Sequence, residues 1–448
     1  PIAAGGNTVN GIGSDVIDVT QGTHAMHSFE YQHGELYCEQ VPVSRVAKEL
    51  GTPCYIYSHA TLVRHFHAYD SAFKNIPHVI AFAMKANSNL AILRMMAKEG
   101  SGADIVSGGE LFRALKAGVP ASKIVFAGVG KSPDEIRDAL KADILMFNVE
   151  SSAEIHAINE VASSVGKKAR IALRINPDVD PKTHPYISTG MKKSKFGIAS
   201  DRALEEYKMA SSLSHTDVVG VHAHIGSQLT DVMPFVDSLK KVVALIDTLK
   251  SQGINIRYLN IGGGLGITYS EEKPPLPQDL AEAISPLVKD LGLTLVMEPG
   301  RVIVGNAGIL VTRTLYEKAG ETKHFVIVDA AMNDLIRPSL YGAYHEIRPV
   351  QEEAIRRAKQ TVDIVGPVCE SGDFLAKDRS LPGVKPGELL AVMSAGAYGF
   401  VMASNYNSRP RVPEILVKGG EYHVIRDRET YDDLIRGESI PSFLSETE

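Results

Sequence analysis

The chain has 448 residues, 44% hydrophobic and 22% charged, the size of two domains and the balance of a globular protein with a sizeable core. A formal net charge of -6, with both signs interspersed, leaves no basic stripe for nucleic acid. The apolar runs are strand-sized and none approaches the roughly 20 residues needed to cross a bilayer, so neither nucleic acid nor a membrane is an expected partner.

The three cysteines, Cys38, Cys54 and Cys369, form no CxxC pair and no metal-ligand spacing. Such sparse, odd usage fits a reducing, cytoplasmic setting, and no metal is expected. Residues 1–25 are rich in Gly and Thr and precede Met26-His27-Ser28-Phe29, which reads like a natural start. They are taken as an appended or leader segment, expected to be disordered, and are left out of the fold.

Residues 26–52 carry short strand-like pieces, expected to join a β domain elsewhere in the chain. From 53 to 305, short apolar runs alternate with amphipathic helical stretches. The runs are HVIAFAM (78–84), ADIV (103–106), KIVFAG (123–128), DILMF (143–147), ARIALRI (169–175), VVGVHAHI (218–225), YLNIGGG (258–264) and LTLVMEP (293–299). Strands alternating with helices predict a parallel sheet with right-handed crossovers. Eight units in about 250 residues fit a closed (β/α)8 TIM barrel, with an open doubly wound sheet as the alternative. Beyond residue 305 the texture changes. FVIVDAA, TVDIVGPV, LLAVMSAG and EILVKGGEYHVI, separated by Gly/Pro turns, predict a mostly antiparallel β domain over 306–448.

In a parallel barrel, function sits at the C-terminal ends of the strands. Lys85 follows five apolar residues in AFAMKANSN. It is either a lysine snorkelling from a strand end or a Schiff-base lysine, whose amine a dry pocket holds neutral and nucleophilic. His222 and His224, two apart on the sixth run, share a face. No further ligand set completes a metal site, so His222 reads as a core histidine and His224 as the functional one. Gly262-Gly263-Gly264 ends the seventh run, and its backbone N–H groups, with Ser227 and Arg301, could cup a phosphate. A tight turn explains the glycines equally well. The eighth run ends in Glu298-Pro299-Gly300-Arg301, which puts an acid and a base beside that cup.

The motifs FAMKAN, ADIVSGGEL, HAHIGSQ, NIGGGLG, EPGR, MNDLIRP, GPVCESGD and AGAYG resemble those of the alanine-racemase-like, fold-type III decarboxylases that use pyridoxal 5'-phosphate. Within that group they match the diaminopimelate decarboxylases, in unbroken order from Met26 to the C-terminus. The resemblance implies that Lys85 carries the cofactor as a Schiff base and that His224 stacks on its ring. It implies that Ser227, Gly263, Gly264 and the segment Glu298, Pro299, Gly300, Arg301 hold the cofactor, with Glu298 facing the ring nitrogen. Asp104 and Arg174 would support the lysine and ring oxygen, or are ordinary strand-end charges. Arg301, Arg337, Tyr341, Glu370 and Tyr398 would line the pocket for the unreacting end of meso-diaminopimelate, Tyr398 also touching the cofactor. An arginine fork suits that end's carboxylate, whereas a bare amine such as that of ornithine has no use for Arg337. Cys369, with Glu370, would reach the active site of a neighbouring subunit, which implies a homodimer with shared sites. Asn260 stands where Asp is common in the wider group, with little expected consequence, and Lys192–Gly197 (KKSKFG) resembles a loop of the family.

The implied activity is conversion of meso-diaminopimelate to L-lysine and CO2, the last step of lysine biosynthesis. The rivals are a different fold-type III diamino acid or carboxy-polyamine decarboxylase, an amino acid racemase, and a non-catalytic pyridoxal-phosphate-binding homologue. A racemase needs acid/base groups on both faces of the ring, and a dead homologue should lack Lys85 or Cys369, both present here.

Overall fold

The computed structural model describes residues 27–179 and 195–444. The segment 1–25 and residues 192–194 of the KKSKFG stretch lie outside the described residues.

Each of the eight apolar runs contains or overlaps a strand: β1 (His78–Ala83), β2 (Gly102–Ile105), β3 (Ile124–Phe126), β4 (Met146–Val149), β5 (Ala169–Asn176), β6 (Thr216–His222), β7 (Tyr258–Asn260) and β8 (Thr294–Met297). All neighbours pair in parallel. Two pairings close the ring, β8 on β1 with Leu295 opposite His78 and β4 on β5 with Phe147 opposite Ile171. The sheet is therefore a closed barrel rather than an open one.

Successive residues of a strand point to opposite faces, and here the two faces belong to different cores. Ile80, Phe82, Ile124, Phe126, Phe147, Ile171, Leu295 and Met297 pack outward in the main core with the surrounding helices. Ala81, Val125, Met146, Ala172, Val219 and Val296 form a separate cluster on the inward face. The helices start where the sequence supplies caps. Pro133–Ala142, for example, has the reciprocal Ser132–Glu135 capping box with Pro133 at its first position.

The second sheet centres on the long strand Gly308–Ala319, which pairs antiparallel with His324–Val328, Leu389–Val392 and Cys54–Ser58. Cys54–Ser58 also pairs in parallel with Glu414–Lys418. This strand precedes the barrel in sequence but belongs to the other sheet, so the barrel begins at the helix His59–Ala72 rather than at residue 53. Its five residues are all buried, as they are between two neighbours in the middle of a sheet. The strands Phe29–Gln32, Glu35–Cys38 and Val41–Pro42 form a small sheet of their own. Phe29, Leu36 and Cys38 share a core with Ile56, Ile309, Ala391 and Ile415. The buried Glu414 carboxylate ties the second sheet to the loop after β1. It accepts from Tyr57 Oη at 2.8 Å, Asn89 Nδ2 at 2.9 Å and Arg426 Nε at 2.9 Å.

Candidate active site

The period-two alternation that fills the barrel with small apolar side chains delivers polar ones at its C-terminal rim. Met84 and Ala86, Ala103 and Ile105, Phe147 and Val149, Leu173 and Ile175, Ala223 and Ile225, and Leu259 and Ile261 all belong to the outer core. The residues between them, Lys85, Asp104, Asn148, Arg174, His224 and Asn260, face inward by the same rule. His222 and Glu298, next to Val221 and Met297, complete the layer.

Lys85 Nζ donates to Asp104 Oδ2 at 2.6 Å. Asp104 is fully buried, whereas the lysine side chain is 40% exposed towards the cavity above the rim. Burial pulls the lysine pKa down, but the charges of Asp104, Tyr398 and Glu298 outweigh it and leave it above the ordinary value. The neutral amine expected from a dry pocket is thus corrected. A carboxylate within hydrogen-bond reach holds the proton on Nζ in the free site.

Glu298 sits at the centre of the layer. Its Oε1 accepts from Asn148 Nδ2 at 2.9 Å and Asn260 Nδ2 at 2.6 Å, and its Oε2 lies 3.6 Å from His222 Nε2. Burial and then the nearby Asp104 charge push its pKa from 4.5 to about 8. Asn260 therefore orients the acid, a consequence the sequence reading did not assign to it. His222 stays neutral, its pKa held well below the histidine range by burial and by Arg174.

The glycine cup is a steric necessity. Gly262 and Gly264 adopt φ of +65° and +125°, a region that L side chains seldom enter. A Cβ on Gly262 would strike the His224 ring at 2.5 Å, and one on Gly264 would strike the Gly226 carbonyl oxygen at the same distance. Ser227, Gly263, Gly264, Gly300 and Arg301 line the cavity beside them. Arg301 Nη2 donates to Ser227 Oγ at 3.1 Å and Nη1 to Tyr269 Oη at 2.6 Å, while its buried Nε has no partner among the described residues.

Farther round the wall stand Arg337, Tyr341, Tyr344 and Tyr398. Arg337 opens the helix Arg337–Tyr341, and its guanidinium carbon stacks 4.7 Å from the Tyr269 ring centre. Tyr398, with a left-handed φ of 57°, places its ring 4.9 Å from the Arg301 guanidinium and donates its backbone N–H to Ala86 O at 2.8 Å. The cavity so enclosed measures about 410 Å³.

Lys85, His224, Ser227, Gly263, Gly264, Glu298, Gly300, Arg301, Arg337, Tyr341 and Tyr398 all line this one cavity. Asp104 contributes from beneath, through Lys85. Arg174 does not line the cavity; it donates to Glu150 Oε1 at 2.8 Å and reaches the His224 carbonyl at 3.5 Å. Pro299 does not line the cavity, and its carbonyl accepts the Ala83 N–H at 3.0 Å, which fastens the end of β8 to β1. Cys369 and Glu370 are exposed and outside the cavity, with the Cys369 N–H donating to Asn407 Oδ1 at 2.8 Å. Sequence reasoning missed Tyr269, Gln228 and Glu272, which line the cavity from the loops after β6 and β7. Gln228 is the last residue of HAHIGSQ, and only closeness to NIGGGLG marked Tyr269 and Glu272. Among the described residues, no group of three or more His, Cys, Asp or Glu side chains is arranged to hold a metal ion.

Residues 59–305 match the family described as pyridoxal-dependent decarboxylase, pyridoxal binding domain. Over 407 residues the chain is 53% identical to a diaminopimelate decarboxylase of Aquifex aeolicus, covering 91% of this chain and 96% of that protein. The chain belongs to the diaminopimelate decarboxylase family. The diaminopimelate decarboxylase of Vibrio cholerae is likewise 53% identical, covering 93% of this chain and 99% of that one. Among solved structures, that of the family member from Helicobacter pylori complexed with L-lysine superposes with a TM-score of 0.85 at 46% identity, over 88% of this chain and 98% of that chain. Among the described residues, no helix is long and apolar enough to cross a membrane.

Proposed function

We propose that this chain removes one carboxylate of meso-diaminopimelate as CO2 and leaves L-lysine, with pyridoxal 5'-phosphate attached at Lys85. The observation that carries the reading is a single cavity that brings together a lysine, a buried acid on two amide donors, a glycine cup and two arginines. The residues fit the cofactor. The glycine backbone offers donors to a phosphate, the Arg301 side chain lines the same cavity, and Glu298 offers its carboxyl to a ring nitrogen. When bound, the pyridoxal ring supplies the sink for the electron pair released as CO2 leaves.

The chain's own groups do the rest. Asp104 holds the proton of Lys85 until the amine is needed as a nucleophile. Glu298, its pKa raised to about 8 by burial, would face the ring nitrogen and hold a proton there. Ser227, Gly263, Gly264 and Arg301 would hold the phosphate, and His224, which rests against the glycine turn, would offer its ring face to the cofactor. Arg337, with Tyr341 and Tyr398, takes the carboxylate of the unreacting end. An arginine there favours a substrate with a distal carboxylate over lysine or ornithine, because a desolvated guanidinium is costly without an anion.

Cys369 and Glu370 serve the cavity of a second copy in a homodimer. Their exposure away from their own cavity supports that assignment. Cys369 returns the proton to the reacting carbon, and Glu370 meets the distal ammonium. Three cysteines without a disulfide support a cytoplasmic setting.

The attachment site is tested by borohydride reduction of the yellow holoprotein and peptide mapping. The label should fall on Lys85, and Lys85→Ala should bind the cofactor only non-covalently and lose nearly all turnover. A label on another lysine would remove the reading.

A further inference from the structure

Arg337 is buried, yet among the described residues no carboxylate pairs with it. What holds it is His345. Arg337 Nη1 donates to His345 Nε2 at 2.8 Å, and Nδ1 of the same ring lies 2.9 Å from the backbone carbonyl of Met393. A carbonyl only accepts, so Nδ1 carries the ring proton and Nε2 is left as an acceptor for a guanidinium that only donates. The ring is 0% exposed, and its edge meets Tyr269 at 5.3 Å between centres. Burial and then the Arg337 charge take the His345 pKa from 6.5 to about 3, so the neutral tautomer persists across physiological pH.

The charge of the anchor matters more than its presence. A carboxylate at this place would orient Arg337 and also neutralise it, leaving little attraction for an incoming anion. A neutral imidazole orients the fork and leaves the whole positive charge for the ligand. Tyr269 completes the device. Its hydroxyl accepts from Arg301 and its ring stacks on Arg337, so one side chain spaces two like charges in a single cavity.

We infer that His345 is a positioning residue that aims Arg337 at the substrate's distal carboxylate without neutralising it. The inference rests on the proposed reading that Arg337 takes that carboxylate.

The test compares His345→Phe, which keeps ring volume, His345→Gln, which restores an acceptor near Nε2, and His345→Glu, which adds a charge. Each holoenzyme is assayed with meso-diaminopimelate, and inhibition is measured with L-lysine, which keeps the distal head group, and with cadaverine, which has no carboxylate. His345→Phe should raise KM and the lysine inhibition constant by about tenfold, the factor of a 1.4 kcal/mol contact. It should leave kcat within about twofold and leave cadaverine inhibition and the borohydride label on Lys85 unchanged. His345→Gln should recover most of the lysine affinity, and His345→Glu should lose it. Unchanged lysine inhibition in His345→Phe, or in His345→Glu should the former fail to fold, would overturn the inference. Lysine and cadaverine weakening together would overturn it too, since a merely structural role predicts that. Arg337→Ala is run alongside. Unchanged lysine inhibition there removes the reading of Arg337 itself, whereas a loss there with none at His345 removes only the present inference.

Discussion

Asn260 Nδ2 stands 2.6 Å from Glu298 Oε1, while Oδ1 of the same amide accepts the Gly262 N–H at 2.8 Å. Because the oxygen is committed to the glycine turn, the nitrogen must face the acid, and one side chain sets both the acid's direction and the cup's first turn. Asn260→Asp would put a second carboxylate against Glu298 and remove the donor. Titration of the cofactor-free variant with pyridoxal phosphate should show affinity weakened by about tenfold, since leaving a buried hydrogen-bond partner unsatisfied costs about 1–3 kcal/mol. Unchanged affinity would show that Glu298 does not depend on this amide.

The raised pKa of Glu298, about 8 against 4.5 for the ordinary group, has a stability consequence. Between those values the folded protein binds more protons than the unfolded chain, so stability falls as pH rises. The contribution is complete below about 4.5 and lost above about 8. Urea unfolding of cofactor-free protein should therefore show wild type losing more stability between about pH 6 and pH 9 than Glu298→Gln does. Equal losses would mean that the acid ionises as an exposed one would.

The barrel was legible because parallel strands covered on both faces read as unbroken apolar runs, and its functional layer because Lys85, His224 and Glu298 interrupt those runs at their ends. Other features depend on distant neighbours. Cys54–Ser58 looks like any buried strand, and its place beside Gly308–Ala319 is set by pairing across the whole barrel sequence. The protonated state of Lys85 follows from Asp104 being 2.6 Å away, a contact between two strands. His345 is one histidine in AYHEI, with no local mark of its bond to Arg337. Cys369 is the reverse case, marked by its motif in the sequence although its own cavity leaves it out.

That residue gives a test of shared sites. Cys369→Ala should keep the cofactor and slow product formation by about 10²–10⁴-fold, as for a lost general acid. Mixed with Lys85→Ala under conditions of proven subunit exchange, it should regain activity, because one site of each mixed dimer has both residues. No recovery would mean that Cys369 acts within its own subunit or has no chemical role.

The most direct measurement is CO2 release by the purified holoenzyme from meso-diaminopimelate, its LL isomer, lysine, ornithine and arginine. Rapid release is expected from meso-diaminopimelate with L-lysine formed in equal amount, and little from the substrates without a distal carboxylate. Arg337→Ala should lower kcat/KM for meso-diaminopimelate by a factor equivalent to about 2–5 kcal/mol, the cost of leaving one member of a buried charge pair alone. Preference of the wild-type enzyme for lysine or ornithine over meso-diaminopimelate would rule out Arg337 as the binder of a distal carboxylate.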